Sequence, residues 1–335
     1  MIRQRYFALI VFFIFTGLNC MAVETEDGYV RLFIDEKNGN FSLYYLTDSS
    51  ATHEPLFNHR NSTTSFLTVN VNGKTYQLGK SKIFNTRIGK INGNPAVIYE
   101  SPFLLVSKVF YPVKTISSPV ANGVKVIINI ENKSGKEAAV GLRVLIDTHL
   151  GETRGNIPFV TDNLTITGET LVKASSGERY WITRGAQLSL MGNIINPSDD
   201  DSKEPDFLHF ANWRKINNAP WKAAYREGQS FSSTGDSAVC YYYEPETLAA
   251  GESFKYAIFL TTEDTAWYNR RQTVTETPIN TAAAEEAAKK YGDSGILTLI
   301  RLRDMTEQFI AGKILLNEQD LLEIEKTMER LRDRF

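Results

Sequence analysis

The chain has 335 residues, 37 of them Lys or Arg and 39 Asp or Glu, for a formal charge of −2. This near-balance argues against a nucleic-acid partner, which normally requires a basic surface. With only Cys20 and Cys240 in the chain, a disulfide scaffold is excluded too, so stability has to come from a buried core.

At the N-terminus, Arg3 and Arg5 precede an uncharged apolar run over 6–17. Its length suits a signal-peptide core and falls short of a membrane span. Cys20 and Ala22 occupy the small −3 and −1 places, so cleavage is expected after Ala22. The alternative is a lipoprotein signal with Cys20 lipidated, behind a poor Gly17-Leu18-Asn19 approach. Both readings place the protein outside the cytoplasm, periplasmic or secreted. No later segment is apolar and long enough to cross a bilayer, so the mature chain is not expected to span the membrane. Loss of Arg3 and Arg5 leaves 35 basic residues against 39 acidic.

From about 23 to 264 the pattern is β. "YVRLFIDEKNGNFSLYYL", "FLTVNVNGKTYQLG" and "RIGKINGNPAVIYES" each read as two alternating runs joined by Asn-Gly, which supplies the positive φ of a tight hairpin. "FLLVSKVFYPVKTI" adds a strand. "NGVKVIINIENKSGKEAAVGLRVLID" reads as a long strand, a turn at Asn132 to Gly135 and a return strand. In "YEPETLAAGESFKYAIFL", Glu244-Pro245 is expected to end one strand before the last begins. Many short strands with turn chemistry between them predict a mainly β fold, a large antiparallel β-sandwich.

The stretch 265–280 is polar and reads as a linker. From 281 to 335 the pattern is helical. Thr281 and Asn317 suit N-caps, Gly292 and Gly312 suit stops, and Arg330, Arg332 and Arg334 suit a helix C-terminus. This predicts a C-terminal helical hairpin. Its apolar stripe includes Leu299, Phe309, Leu321, Ile324, Met328 and Leu331. The stripe either packs within the chain or docks a protein partner in the cell envelope.

Candidate site residues concentrate in two places. In "GLRVLIDTHLGETRGNIPF", Arg143 and Asp147 are four apart and so share a strand face, with His149, Glu152 and Arg154 following in a loop. They read either as an internal ion pair with loop contacts or as a polar floor for a ligand. In "HFANWRKINNAPWKAAY", Asn212, Trp213 and Trp221 lie in a loop-rich aromatic stretch suited to stacking on a sugar. Tyr241 and Tyr243 should share one strand face and Tyr242 the other. The four histidines show no metal-ligand spacing, and Asp199-Asp200-Asp201 lacks the spaced carboxylates of a calcium loop. No nucleophile motif or nucleotide loop is present, and neither a metal nor a cofactor is expected.

Three segments together resemble an uncharacterised class of exported bacterial β-sandwich proteins. They are "NGVK…NIENKS…VGLRVLIDTHLGE", "PDFLHFANW…W" and "DSAVCYYYEPETLAAGESFKY". In that class the first segment carries an R-V-L-L-D-T strand and then L-G-x-N-D-G-A-P-F. The others carry F-A-N-W-G and D-S-A-V followed by a P-G-E-S turn. The resemblance covers about Val23 to Glu263 and implies a sandwich, by analogy of the large sugar-mutarotase type. Thr153-Arg154-Gly155 replaces the class's Asn-Asp-Gly, which exchanges an acid for a base, and Arg214 replaces a glycine.

The sequence thus supports a non-catalytic periplasmic protein, a structural or interaction component of an envelope assembly such as a cell-wall, secretion or motility structure. The alternative is a carbohydrate-binding module that takes cell-wall or other glycan. An enzyme acting on sugars through Asp147, Glu152 and His149 is the third reading.

Overall fold

A computed structural model describes residues 22–47, 52–57, 64–150, 152, 159–197, 201–231 and 236–268. The chain divides into two compact units, Met1–Arg271 and Gln272–Phe335. The second unit, where the helical hairpin and its partner stripe are expected, lies outside the described residues, as do residues 1–21 of the expected leader.

The first strands are β1 (Ala22–Asp27), β2 (Val30–Asp35), β3 (Phe41–Leu46) and β4 (His53–Pro55), which form a four-stranded antiparallel sheet in that order. Then come β5 (Phe66–Val71), β6 (Lys74–Gln77), β7 (Asn85–Ile91), β8 (Asn94–Glu100), β9 (Leu104–Val113), β10 (Gly123–Asn132) and β11 (Ala138–Asp147). The short strands β12 (Phe159–Thr161), β13 (Thr165–Ile166) and β14 (Thr170–Lys173) lead to β15 (Tyr180–Arg184), β16 (Ser189–Asn193) and β17 (Phe207–Asn212). A six-residue helix α1 (Trp213–Asn218) precedes β18 (Ser237–Leu248), β19 (Ser253–Thr261) and the short α2 (Thr265–Tyr268).

A nine-stranded sheet runs β13-β12-β15-β16-β19-β10-β9-β8-β7, and a six-stranded sheet runs β14-β17-β18-β11-β5-β6. Their inner faces share one core: Val126, Ile128 and Trp181 of the first sheet with Leu142, Val144 and Tyr241 of the second. The indole N–H of Trp181 donates to the Tyr241 hydroxyl at 2.7 Å and bridges the layers. The mainly β, multi-sheet antiparallel architecture is therefore as the pattern predicts. The hairpins β5–β6 and β7–β8 turn at Asn72-Gly73 and Asn92-Gly93, all four residues with positive φ.

Two local expectations are corrected. β10 and β11 do not pair; β10 joins β9 and β19, whereas β11 joins β5 and β18. The turn at 132–135 is a crossover between layers, pinned by the Asn132 amide, which donates to the carbonyls of Lys136 and Leu248. Alternation cannot separate a hairpin from a crossover, because both supply two half-buried strands. Nor does Glu244-Pro245 end its strand: β18 continues to Leu248 through a register shift between Val140 and Leu142. The irregularity takes up a proline that has no N–H for the ladder. Gly141 faces it, and a Cβ there would lie 2.9 Å from the Tyr243 carbonyl oxygen. Thr265–Tyr268, at the start of the stretch read as a linker, is helical and buries Trp267 and Tyr268 against the outer face of the nine-stranded sheet.

The four-stranded sheet joins the main core through Leu32, Ile34, Phe41 and Leu43. Its β2–β3 turn is held from below by a charge. Lys108 occupies a core-facing place in β9, in phase with Leu104, Val106 and Phe110, and is 1% exposed. Its ammonium donates to the Gly39 carbonyl at 2.7 Å and lies 5.0–5.8 Å from the rings of Phe41, Tyr99 and Phe110. Burial lowers its pKa to about 7. The unfolded chain therefore binds more protons than the folded one between pH 7 and about 10.5. Stability should rise with pH across that window, and Lys108→Met should flatten the rise, as read by thermal melts at pH 7 and pH 10. An unchanged slope in the variant would contradict the assignment.

Candidate functional site

Along β11, Leu142, Val144 and Ile146 face the inter-sheet core, which leaves Arg143, Leu145 and Asp147 on the outer face of the six-stranded sheet. Arg143 and Asp147 share that face as their spacing predicts. Four residues of extended chain separate them by about 13 Å, and each finds its own surroundings. Arg143 is 3% exposed. One terminal nitrogen donates to the carbonyls of Ala219 at 3.1 Å and Trp221 at 2.7 Å, and more weakly to Ile216, while the other reaches Thr68. The guanidinium thus collects carbonyls at the end of α1 and just beyond, and clamps that segment over the sheet.

The aromatic stretch is built into the same cover. Asn212 caps α1, its side-chain oxygen accepting from the Arg214 N–H at 3.0 Å. The Trp213 indole N–H donates to the Thr64 carbonyl at 2.9 Å, and the Tyr242 hydroxyl donates to the Trp221 carbonyl at 3.2 Å. Trp213 and Trp221 pack partly buried on the outer-face cluster, whereas Trp181 and Trp267 belong to two other clusters. The four tryptophans therefore form no shared platform. Tyr241 and Tyr243 lie on one face of β18 and Tyr242 on the other, as alternation requires. His209 is buried and shares a hydrogen bond with Glu169, which also pairs with Lys215 of α1. Cys240 is fully buried, and burial lifts its thiol pKa to about 12, so it acts as a small packing residue.

At the exit of β11, Asp147, Glu152 and Asp236 converge, with one oxygen from each within 4.8 Å of the others. The sequence separates Asp236 from the other two by more than eighty positions, so spacing gave no sign of the trio; the β11–β18 pairing assembles it. Asp147 is 1% exposed and Glu152 is half-buried. Burial pushes the Glu152 pKa up to about 8; hydrogen bonds from the Ser237 N–H and hydroxyl oppose this, and the charges of Asp147 and Asp236 add to it. Burial also raises Asp236, against Arg214. Oxygen ligands of this kind suit a hard cation; a proton held on Glu152 relieves the same repulsion. Arg154 lies outside the described residues.

A separate groove of about 620 Å³ opens beside the four-stranded sheet. Its size falls within the usual range of ligand pockets. Tyr29 and Tyr45 form one wall, their ring centroids 5.5 Å apart and tilted by 41°. Leu46 and Thr47 continue that wall; Ser117, Ser118, Pro119 and Asn122 from the β9–β10 connection, Gln187 and Leu188 from the β15–β16 turn, and Thr262 beyond β19 line the rest. Among the described residues, no Asp, Glu, Lys, Arg or His lines the groove. Asn122, 3% exposed, ties its walls: its side-chain oxygen accepts from the Thr115 N–H, and its NH2 donates to the hydroxyls of Thr115 and Thr262. Behind the lip, Asp264 accepts from the Ser117 N–H at 2.9 Å and the Ser117 hydroxyl at 2.7 Å. Burial would raise the Asp264 pKa, but these bonds, with others from Thr115 and Trp267, outweigh it and hold the carboxylate below its ordinary value. Sequence reasoning missed the groove because its residues come from five separate segments and none belongs to a motif.

No protein-family model matches the chain, and no curated protein matches its sequence. Among solved structures, it is similar to a galactose mutarotase related enzyme from Lactobacillus acidophilus, at 10% identity and a TM-score of 0.40, covering 73% of this chain and 98% of that one. A galactose mutarotase-like protein from Lactobacillus casei gives 12% and 0.43, with 72% and 100% covered. An aldose epimerase homologue from C. elegans gives 7% and 0.44, with 72% and 98% covered. At such identities and TM-scores, nothing those proteins act on transfers to this chain.

Glu152 provides a direct check on the carboxylate trio. Its folded pKa, about 8, exceeds the ordinary 4.5. The folded state therefore binds more protons between these values, and stability present below pH 4.5 is lost as pH rises through 8. Glu152→Gln should remove most of that loss, so its melting temperature should exceed that of the wild type by several degrees at pH 8.5 and converge with it near pH 5. Parallel pH profiles for the two proteins would show that Glu152 is not desolvated as described.

Proposed function

We propose that the β domain is a carbohydrate-binding module of an exported protein and that the groove between Tyr29, Tyr45 and Thr262 is its binding site. The groove's chemistry carries the reading. Tyrosine rings offer apolar faces to the C–H faces of a sugar, and hydroxyl and amide groups offer hydrogen bonds to its hydroxyls. Binding rather than turnover is the reading, because the carboxylates named from sequence as acid–base groups lie elsewhere and Asp147 is buried. Export rests on the leader: cleavage after Ala22 would leave Val23 as the first residue of the exported protein, as N-terminal sequencing would show, and a blocked, lipid-modified Cys20 would overturn it.

A second reading, attachment to an envelope assembly, rests on the apolar stripe of Leu299, Phe309, Leu321, Ile324, Met328 and Leu331. It is supported by sequence alone. If it holds, a chain ending at Pro278 should lose co-purification with its envelope partner while its β domain still melts cooperatively; retained co-purification would refute it.

For the groove, Tyr45→Ala should weaken glycan binding, measured by isothermal titration calorimetry, by about tenfold or more, with an unchanged far-UV circular dichroism spectrum. Trp213→Ala should leave affinity within about twofold. The reverse pattern would move the site to the outer face of the six-stranded sheet.

A further inference from the structure

The groove's hydrogen bonds fix which polar groups it can offer, and this narrows the ligand. The inference rests on the reading of the groove as a glycan site. The Ser117 hydroxyl spends its hydrogen on Asp264 at 2.7 Å, so what it presents to a ligand is an acceptor lone pair. The donation to a carboxylate polarises that oxygen and makes it the better acceptor. Thr262 differs. Its hydroxyl oxygen accepts from the Asn122 amide at 3.1 Å, and its own O–H is left to donate to a ligand. Asp264 fixes the Ser117 hydroxyl from behind, and the buried Asn122 holds the Thr262 oxygen.

A fixed acceptor beside a hydroxyl able to donate matches a group that both gives and takes a hydrogen bond. A sugar hydroxyl does both. A carboxylate only accepts, and an ammonium only donates. Charge points the same way. Asp264 places a negative charge directly behind the lip, and among the described residues the lining holds no lysine, arginine or histidine to offset it for an anionic ligand. We infer that the groove selects neutral saccharides over uronic-acid or other acidic ones, with Ser117 and Thr262 as the hydroxyl-reading pair and Asp264 as the positioning residue that repels acidic sugars.

The test uses the full chain and calorimetric titration with two sets of oligosaccharides of equal length. One set is neutral, gluco-, manno- and N-acetylglucosamine oligomers; the other is galacturonate oligomers. At least one neutral series should bind, and galacturonate oligomers should bind at least about tenfold more weakly. Thr262→Val, which keeps the shape and removes the O–H, should weaken the neutral ligand by about five- to tenfold, and Thr262→Ser should restore it. Asp264→Asn should narrow the gap between neutral and acidic ligands; because that variant also loosens the lip, the gap rather than the absolute affinity is read. Equal or tighter binding of galacturonate oligomers by the wild type would overturn the inference while leaving the groove a glycan site. Neutral binding with no loss in Thr262→Val would overturn the assigned pair. Binding of none of these oligosaccharides would instead overturn the carbohydrate reading on which the inference rests.

Discussion

The end of the sandwich that carries the groove depends on one buried amide. Asn122 uses its side-chain oxygen and both hydrogens of its NH2 on the β9–β10 connection and the residue that follows β19. Its backbone continues the work: its N–H donates to the Val113 carbonyl, its carbonyl accepts from Thr262, and the neighbouring Ala121 carbonyl accepts from Tyr29. An unsatisfied amide at such a depth would cost about 1–3 kcal/mol. The network therefore admits few alternative arrangements. Tyr29 enters the groove through the Ala121 contact and Thr262 through Asn122 itself, so the aromatic wall and the hydroxyl wall are set by two adjacent residues.

Two buried basic side chains show a related design. Lys108 and Arg143 both point into desolvated surroundings, and both are answered by backbone carbonyls: Gly39 for the lysine, Ala219 and Trp221 for the arginine. A buried charge that leans on carbonyls contributes little net stability, since desolvation offsets most of the attraction. What it does is fix one segment against another. Lys108 fixes the β2–β3 turn under the four-stranded sheet, and Arg143 fixes the α1 cover over the six-stranded sheet. Gly39 is required at the first of these, because its φ is +71° and a Cβ would lie 2.5 Å from the Tyr99 hydroxyl.

Much of the fold was legible in the sequence, because alternation and Asn-Gly turns report local geometry. The facing of Arg143 with Asp147, and of Tyr241 with Tyr243, follows from the two-residue period of a strand. Sheet membership was not legible. β10 and β11 are adjacent in sequence and end in different layers, since a crossover and a hairpin leave the same alternation. The site was less legible still. The carboxylate trio needs Asp236 brought to Asp147 by long-range pairing, and the groove is assembled from strand ends far apart in sequence. Trp213 and Trp221 attracted notice as aromatics in a loop; the structure turns their polar groups inward, to Thr64, Arg143 and Tyr242. Lys108 was readable in principle, as a lysine in core phase between Val106 and Phe110.

The central claim is that a neutral glycan occupies the groove beside the four-stranded sheet. Hydrogen–deuterium exchange of the full chain, with and without a saturating neutral oligosaccharide, tests it most directly. Slower exchange is expected, confined to the segments around Tyr29, Tyr45, Ser117 to Asn122, Leu188 and Thr262. Protection centred on Trp213 to Trp221, or none anywhere under saturating ligand, would contradict it.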